Sequence, residues 1–314
     1  MSQTFLNYIN GQWVPARSGR TFQNFNPATC ETLGAFPDSG AEDLDDAVKA
    51  ARGAMRAWQL TPAPKRGEML YRLGQLIAED KERLAQAATR EMGKILIETR
   101  GDVQEGVDMA YLAAGEGRRM YGVTTPSEMP NKWAMSVRVP IGVVGVITAW
   151  NFPFAVPTWK IFPALLAGNT IVFKPSEETP EMGFHLAKLL EKVGLPAGVF
   201  NVVHGNGQNV GWPMVQHPGV DVISFTGSNA VGAQISAEGA RLGKRVSLEM
   251  GGKNGVIVMD DADVDLAAQA IAWGAFGTTG QRCTATSRLI LHKPIRKKFV
   301  EMLVERTRQL KLGN

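Results

Sequence analysis

Apolar and polar positions alternate in two registers along this chain, and the change of register divides it. Residues 7–14 alternate around Asn10-Gly11, the pairing of residues that favours a two-residue hairpin turn. From Asp43 to Trp58, apolar residues recur at Leu44, Ala47, Val48, Ala51, Met55 and Trp58, the spacing of one helix face. Two or three further amphipathic helices are expected between about Lys65 and Met120. A polar, turn-rich stretch then runs from Gly122 to Lys132 into the strand-like Trp133-Ala-Met-Ser-Val-Arg-Val and reads as an excursion from the body. From Ile141 short apolar runs alternate with helical stretches. Strands are expected at 142–148, 170–173, 199–203, 221–225, 245–248, 256–259 and 287–292, with helices at 180–193, 229–240, 264–273 and 294–310. Repeated β-α alternation with short connections predicts an α/β fold with a doubly wound parallel sheet.

The chain has 314 residues, 44% of them hydrophobic and 20% charged, which is enough apolar material for two domains or one large one. Its 34 basic and 30 acidic residues are interspersed, so no basic patch points to nucleic acid. Two cysteines, Cys30 and Cys283, cannot form a disulfide framework, and four histidines at unrelated spacings give no metal site. Between Val139 and Phe173 the only charge is Lys160, but five interruptions, four of them prolines, break any membrane-spanning helix. Such a run instead suits strands buried on both faces. With no basic, then apolar, leader at Met1-Ser-Gln-Thr-Phe, the protein is expected to be soluble and cytoplasmic.

Several constellations carry candidate chemistry. Gly205-Asn-Gly207-Gln-Asn-Val-Gly211 joins a strand to a helix but lacks the spacing of a dinucleotide fingerprint and a following acidic residue. A second turn, Ser224-Phe-Thr226-Gly227-Ser228-Asn-Ala-Val-Gly232, offers close backbone approach at Gly227, an N-cap at Ser228 and the amides of a helix N-terminus. It suits a phosphate or an ordinary helix start. Lys174-Pro-Ser176-Glu177 ends a strand at the edge where open α/β sheets bind ligands, and it could hold ribose hydroxyls or be a solvated loop.

The sharpest signal is Gly277-Thr-Thr-Gly-Gln-Arg282-Cys283, a cysteine in a glycine-rich turn beside an arginine. It reads as an activated thiol or as a small structural hydrophobe. Glu249, in Leu248-Glu-Met-Gly-Gly-Lys253-Asn254, is a carboxylate between apolar neighbours. Partial desolvation would raise its pKa toward a general base's range, and a salt bridge to Lys253 or Lys244 is the alternative. Asn151, in Trp150-Asn-Phe-Pro, is either an oxyanion donor or a turn residue. Cys30 is read as inert.

In this order, Trp-Asn-Phe-Pro, Lys-Pro-Ser-Glu, Phe-Thr-Gly-Ser, Leu-Glu-Met-Gly-Gly-Lys-Asn and Gly-Gln-Arg-Cys resemble the motif series of the aldehyde dehydrogenase superfamily. The likeness extends to Tyr8-Ile-Asn-Gly-Gln-Trp and Phe25-Asn-Pro-Ala. The fold it implies is a doubly wound, Rossmann-like parallel sheet followed by the beginning of a second α/β catalytic domain. Residues 1–120 and 141–250 would form the cofactor-binding domain, 121–140 an oligomerisation hairpin and 251–314 the start of the catalytic domain.

The resemblance also implies roles. Cys283 would attack an aldehyde, Asn151 would hold the oxyanion, and Glu249 would activate the hydrolytic water. Trp150, Lys174, Ser176, Glu177, Thr226, Gly227, Ser228 and Gly232 would bind NAD, with NADP tolerated, and the Gly205 cluster would be a structural turn. Thr278 and Gly255 depart from the commoner residues at their positions, and Thr278 is shared with semialdehyde-oxidising branches. Glu249 argues against a branch that passes the acyl group to coenzyme A. The expected partners are a small aldehyde and further copies of the chain in a homodimer or homotetramer. Because relatives continue through more of the catalytic domain, a truncated chain is expected, with a non-catalytic cofactor-binding remnant as the alternative reading.

Overall fold

The computed structural model describes residues 3–313; Met1 and Ser2, on which the leaderless start rests, and Asn314, in the last expected domain, lie outside them. Strands β1 (Gln3–Thr4), β2 (Asn7–Ile9), β3 (Gln12–Val14), β4 (Thr21–Phe25) and β5 (Thr32–Pro37) lead into four helices. These are α1 (Ala41–Leu60), α2 (Ala63–Glu79), α3 (Lys81–Met92) and α4 (Leu96–Glu116). The excursion is a small antiparallel hairpin, β6 (Thr124–Pro126) and β7 (Trp133–Met135), with every residue of both strands exposed. Alternation then sets in: β8 (Val143–Ile147), α5 (Ala155–Leu166), β9 (Thr170–Lys174), α6 (Glu181–Lys192) and β10 (Phe200–Val202). It continues through α7 (Trp212–Gln216), β11 (Val222–Gly227), α8 (Asn229–Arg241) and β12 (Arg245–Met250). The chain closes with β13 (Asn254–Val258), α9 (Val264–Phe276), β14 (Thr286–Leu291) and α10 (Arg296–Arg308).

The main sheet has seven strands in the order β12-β11-β8-β9-β10-β2-β3. The five from β12 to β10 run parallel, and the β2–β3 hairpin is added antiparallel to β10. Asn10 and Gly11 both have positive φ (52° and 76°), which matches the right-handed twist of the strands they join. Successive strand residues serve opposite cores, as a two-residue period requires. Val144, Val146, Ile171 and Phe173 pack with helices α2 to α6, whereas Val143, Ile147 and Val172 pack under α1 and α7. Both faces are therefore covered, and the unbroken apolar runs of β8 and β9 are explained.

Among the parallel strands, β8 enters first and the chain then builds outward through β9 and β10 before returning to β11 and β12 on the other side. The strand order reverses between β8 and β11, so the loops leaving these two strands diverge and open a crevice. After Met250 the chain leaves this sheet. β13 and β14 form a separate parallel pair around α9, packed through Val258, Ala268, Ile271 and Phe299. No helix among the described residues is long and apolar enough to cross a membrane.

Candidate active site

The crevice at the sheet's reversal point is a cleft of about 700 Å³. Trp150, Asn151, Lys174, Ser176, Glu177, Thr226, Gly227, Ser228 and Cys283 all line it, and they come from the last residues of β9 and β11, the loops after β8, β9 and β11, and the turn after α9. Gly232 does not. It lies in the first turn of α8, where an added Cβ would stand 2.4 Å from the Met250 sulfur, so its smallness serves helix–strand packing.

Ser228 caps α8: its hydroxyl accepts from the Val231 amide at 3.3 Å, leaving the first amides of the helix directed to the cleft. The adjacent Thr226 hydroxyl is buried without a hydrogen-bond partner among the described residues. Free donors at a helix N-terminus beside an unsatisfied hydroxyl fit a phosphate-bearing cofactor. At the end of β9, the Lys174 ammonium donates to Glu177 at 2.7 Å and to the Pro175 carbonyl at 3.0 Å. Burial lowers the Lys174 pKa, and the Glu177 carboxylate opposes that shift. Burial would raise the Glu177 pKa, but Lys174 and backbone amides, that of Gly207 among them, outweigh it and hold the carboxyl below its ordinary range.

The glycine cluster is not wholly structural. Gly205, at φ 151°, is packed against Val210 and Ser39, as a structural turn requires. Gly207 and Gly211 lie in the wall of the cleft on a single π-helical turn. Their place in the wall had no signal in the glycine spacing, because it depends on where the turn's backbone lies in the fold.

Cys283 is exposed at the cleft, and side chains from distant segments tie down its turn. Asn151 donates through Nδ2 to the Gln281 carbonyl at 2.7 Å, which among the described residues leaves its second N–H uncommitted and its Oδ1 buried without a partner. The Trp150 indole donates to the Gln281 side chain at 2.9 Å. Asn254 donates to the Cys283 carbonyl at 2.8 Å and more weakly to that of Ala285 at 3.3 Å. Arg282 is directed elsewhere than the thiol: its guanidinium meets Glu98 at 2.6 Å, so its charge is already matched.

Glu249 corrects an expectation. It is exposed rather than desolvated, because β12 is the edge strand of the sheet and its neighbours Val246 and Leu248 take the side that packs on the core. Glu249 is not among the residues that line the cleft, although the three that follow it, Met250, Gly251 and Gly252, are. Lys160, the lone charge in the apolar run, had no sequence signal beyond its isolation. It donates to the Ser224 hydroxyl and the Phe225 carbonyl, both at 3.3 Å. Burial lowers its pKa to about 8, partly opposed by Glu249. Gln281, Asn254 and Glu98 were likewise missed, since a polar residue's remote partner leaves no local pattern.

Residues 13–314 match the aldehyde dehydrogenase family. Among curated proteins, the α-ketoglutaric semialdehyde dehydrogenase of Bacillus subtilis is 45% identical over 312 residues, covering 99% of this chain and 64% of that protein. Among solved structures, an NADP-dependent enzyme of E. coli superposes with a TM-score of 0.96 at 38% identity, covering 98% of this chain and 64% of that one. An NAD-dependent aldehyde dehydrogenase from Sinorhizobium meliloti superposes at 0.97 with 36% identity, covering 100% of this chain and 63% of that one. The chain thus spans about 64% of the length of this curated relative.

Proposed function

Because this chain belongs to the aldehyde dehydrogenase family, we propose that it oxidises an ω-semialdehyde to the carboxylic acid with NAD, tolerating NADP. The convergence of Cys283 and Asn151 on one cleft carries the reading. A nicotinamide cofactor would be held by Ser228 and the α8 amides at its phosphates and by Lys174 and Glu177 at its adenosine ribose. When bound, it supplies the acceptor for a hydride. An ionised Glu177 disfavours a 2′-phosphate, whereas Lys174 and Ser176 accept one, which supports NAD with NADP tolerated.

The Cys283 thiolate adds to the aldehyde carbon, forming a C–S bond and moving the carbonyl electron pair onto oxygen. The free Asn151 N–H and the Cys283 backbone N–H stabilise that oxyanion. Collapse of the oxyanion expels the hydride and leaves a thioester on Cys283. Glu249, next in sequence to the cleft wall, takes a proton from water as it attacks the thioester, and the thiolate departs. The semialdehyde substrate is supported by the activity named for the Bacillus subtilis relative. Exposed Trp133 and Met135 on the β6–β7 hairpin support a homodimer or homotetramer formed through that face. We assign the activity to the cytoplasm.

The test is NADH production from a short semialdehyde. Cys283→Ser is expected to lower it by about a thousandfold or more with NAD binding unchanged. Glu249→Gln is expected to give a burst of NADH followed by slow turnover. Retained turnover in Cys283→Ser removes the nucleophile assignment, and NAD binding with no turnover in the parent chain would favour a cofactor-holding protein instead.

A further inference from the structure

The turn that presents Cys283 is held in an unfavourable conformation by a side chain from the other half of the chain. Thr278 and Thr279 have φ of 51° and 52°, a left-handed region that β-branched residues rarely enter because Cβ crowds the backbone. Such a conformation persists only where the surroundings over-determine it. Glu98, in the first turn of α4, supplies that restraint. Its carboxylate accepts from the Thr278 amide at 3.0 Å, from the Thr278 hydroxyl at 3.1 Å and from the Arg282 guanidinium at 2.6 Å.

Arg282 Nε donates to the same Thr278 hydroxyl at 2.9 Å, closing a ring of three side chains. The guanidinium carbon lies 4.2 Å from the Trp273 ring centroid. Only 12% of the Arg282 side chain and 11% of the Glu98 side chain are exposed. The fit has no slack, since a Cβ on Gly277 would stand 2.9 Å from the guanidinium and 3.2 Å from the carboxylate. The same segment also grips the opposite wall. The Lys94 ammonium lies 3.7 Å from the Phe152 ring centroid and 3.6 Å from the Asp102 carboxylate, and that carboxylate accepts from the Ala155 amide at 2.7 Å. Residues 94–102 thus anchor both loops that meet at the cleft.

We propose that Glu98 is a positioning residue for the nucleophile: it pins Arg282 and the Thr278 turn, so that Cys283 faces Asn151 and no free guanidinium charge reaches the thiol. This rests on the reading of Cys283 as the nucleophile. It places Arg282, which adjoins the cysteine in sequence, in the role of a tether rather than an activator.

The test reads thiol chemistry in the whole chain without aldehyde or cofactor. Cys283 is alkylated with neutral iodoacetamide and, separately, with anionic iodoacetate. Its rate is expressed relative to exposed Cys30 by peptide mass spectrometry. Glu98→Gln is expected to raise the Cys283:Cys30 ratio by roughly threefold or more, the size of effect one uncompensated charge exerts on a nearby thiolate. Iodoacetate should gain more than iodoacetamide, because the released guanidinium attracts the anion. Glu98→Asp, which keeps the charge, should restore most of the parent ratio. Gly277→Ala, which wedges the pair apart from a third residue, should reproduce the effect and serves if Glu98→Gln does not fold. An unchanged ratio in the folded variants overturns the proposal, and so does an equal gain for both reagents, which loosening alone would give. Turnover is not read here, so failure of the nucleophile assignment would show in the Cys283→Ser assay and not in these ratios.

Discussion

Both ring nitrogens of His204 are buried without a hydrogen-bond partner among the described residues, and the ring packs 5.1 Å from that of Phe36. Burial, aided by the charge of Lys174, lowers its pKa from 6.5 to about 3. The folded-state value is depressed, so the unfolded chain takes up the proton first. The stability that depends on neutral His204 is therefore complete above pH 6.5 and is lost progressively as pH falls toward 3. At pH 4.5 the expected loss from this one residue is roughly 2–3 kcal/mol. His204→Leu should remove that share of the pH dependence. Urea unfolding of both proteins at pH 7 and pH 4.5 reads it directly, and an identical drop in the two would exclude His204 as the source. The same reasoning separates legible from illegible residues. Cys283 and Ser228 sit in sequence contexts that advertise a turn and a cap, whereas Glu98 and Lys160 owe their importance to partners far away along the chain.

Helix α8 begins in the wall of the cleft, and one hydroxyl fixes where it starts. Ser228 stands in the extended region and accepts from Val231, so the helix begins directly after it, at Asn229. Ser228→Ala is expected to cost about 1 kcal/mol of stability and to weaken NAD binding, while Ser228→Gly should cost less. Urea midpoints and a cofactor titration distinguish the two effects, and an alanine variant with unchanged stability would argue that the cap is idle.

Most strands and helices from β8 onward were readable, because a two-residue or helical period is a local property, whereas β1, β4, β5, α5 and α7 drew no expectation of their own. The departures have a tertiary cause. β11 and β12 run on to Gly227 and Met250, past the last apolar residue expected in each, because their ladder pairs Thr226 with Glu249 and Gly227 with Met250. The left-handed Thr278–Thr279 pair contradicts the β preference of threonine, and contacts some 180 positions distant impose it.

At the scale of the whole molecule, the seven-stranded sheet and the β13–β14 pair differ in how much core supports them. The seven-stranded sheet lies between two large clusters of buried residues, whereas the β13–β14 unit rests on Val258, Ala268, Ile271 and Phe299. Its outer residues Ile257, Ile290 and Trp273 are more than half exposed. The second unit is therefore expected to open at lower free energy than the first. Phe299→Ala, removing about 3–5 kcal/mol of packing, should abolish hydrogen-exchange protection in β13, β14 and α9 while β8 and β9 stay protected. Equal loss in both sheets would mean that they unfold as one.

The sequence alone determined the α/β alternation, the turn after each strand and the identities of the cysteine, the amide and the cap. The alternation, the turns and the cap follow from the steric preferences of neighbouring residues, whereas local context left the cysteine and the amide open and only the family resemblance implied their roles. Tertiary structure decided which turns meet at the reversal point between β8 and β11, that Glu249 lies exposed on an edge strand, and that Arg282 is matched by Glu98. These depend on burial and on charges brought together across the fold, and no short stretch of chain encodes a distance to a residue it has not yet met.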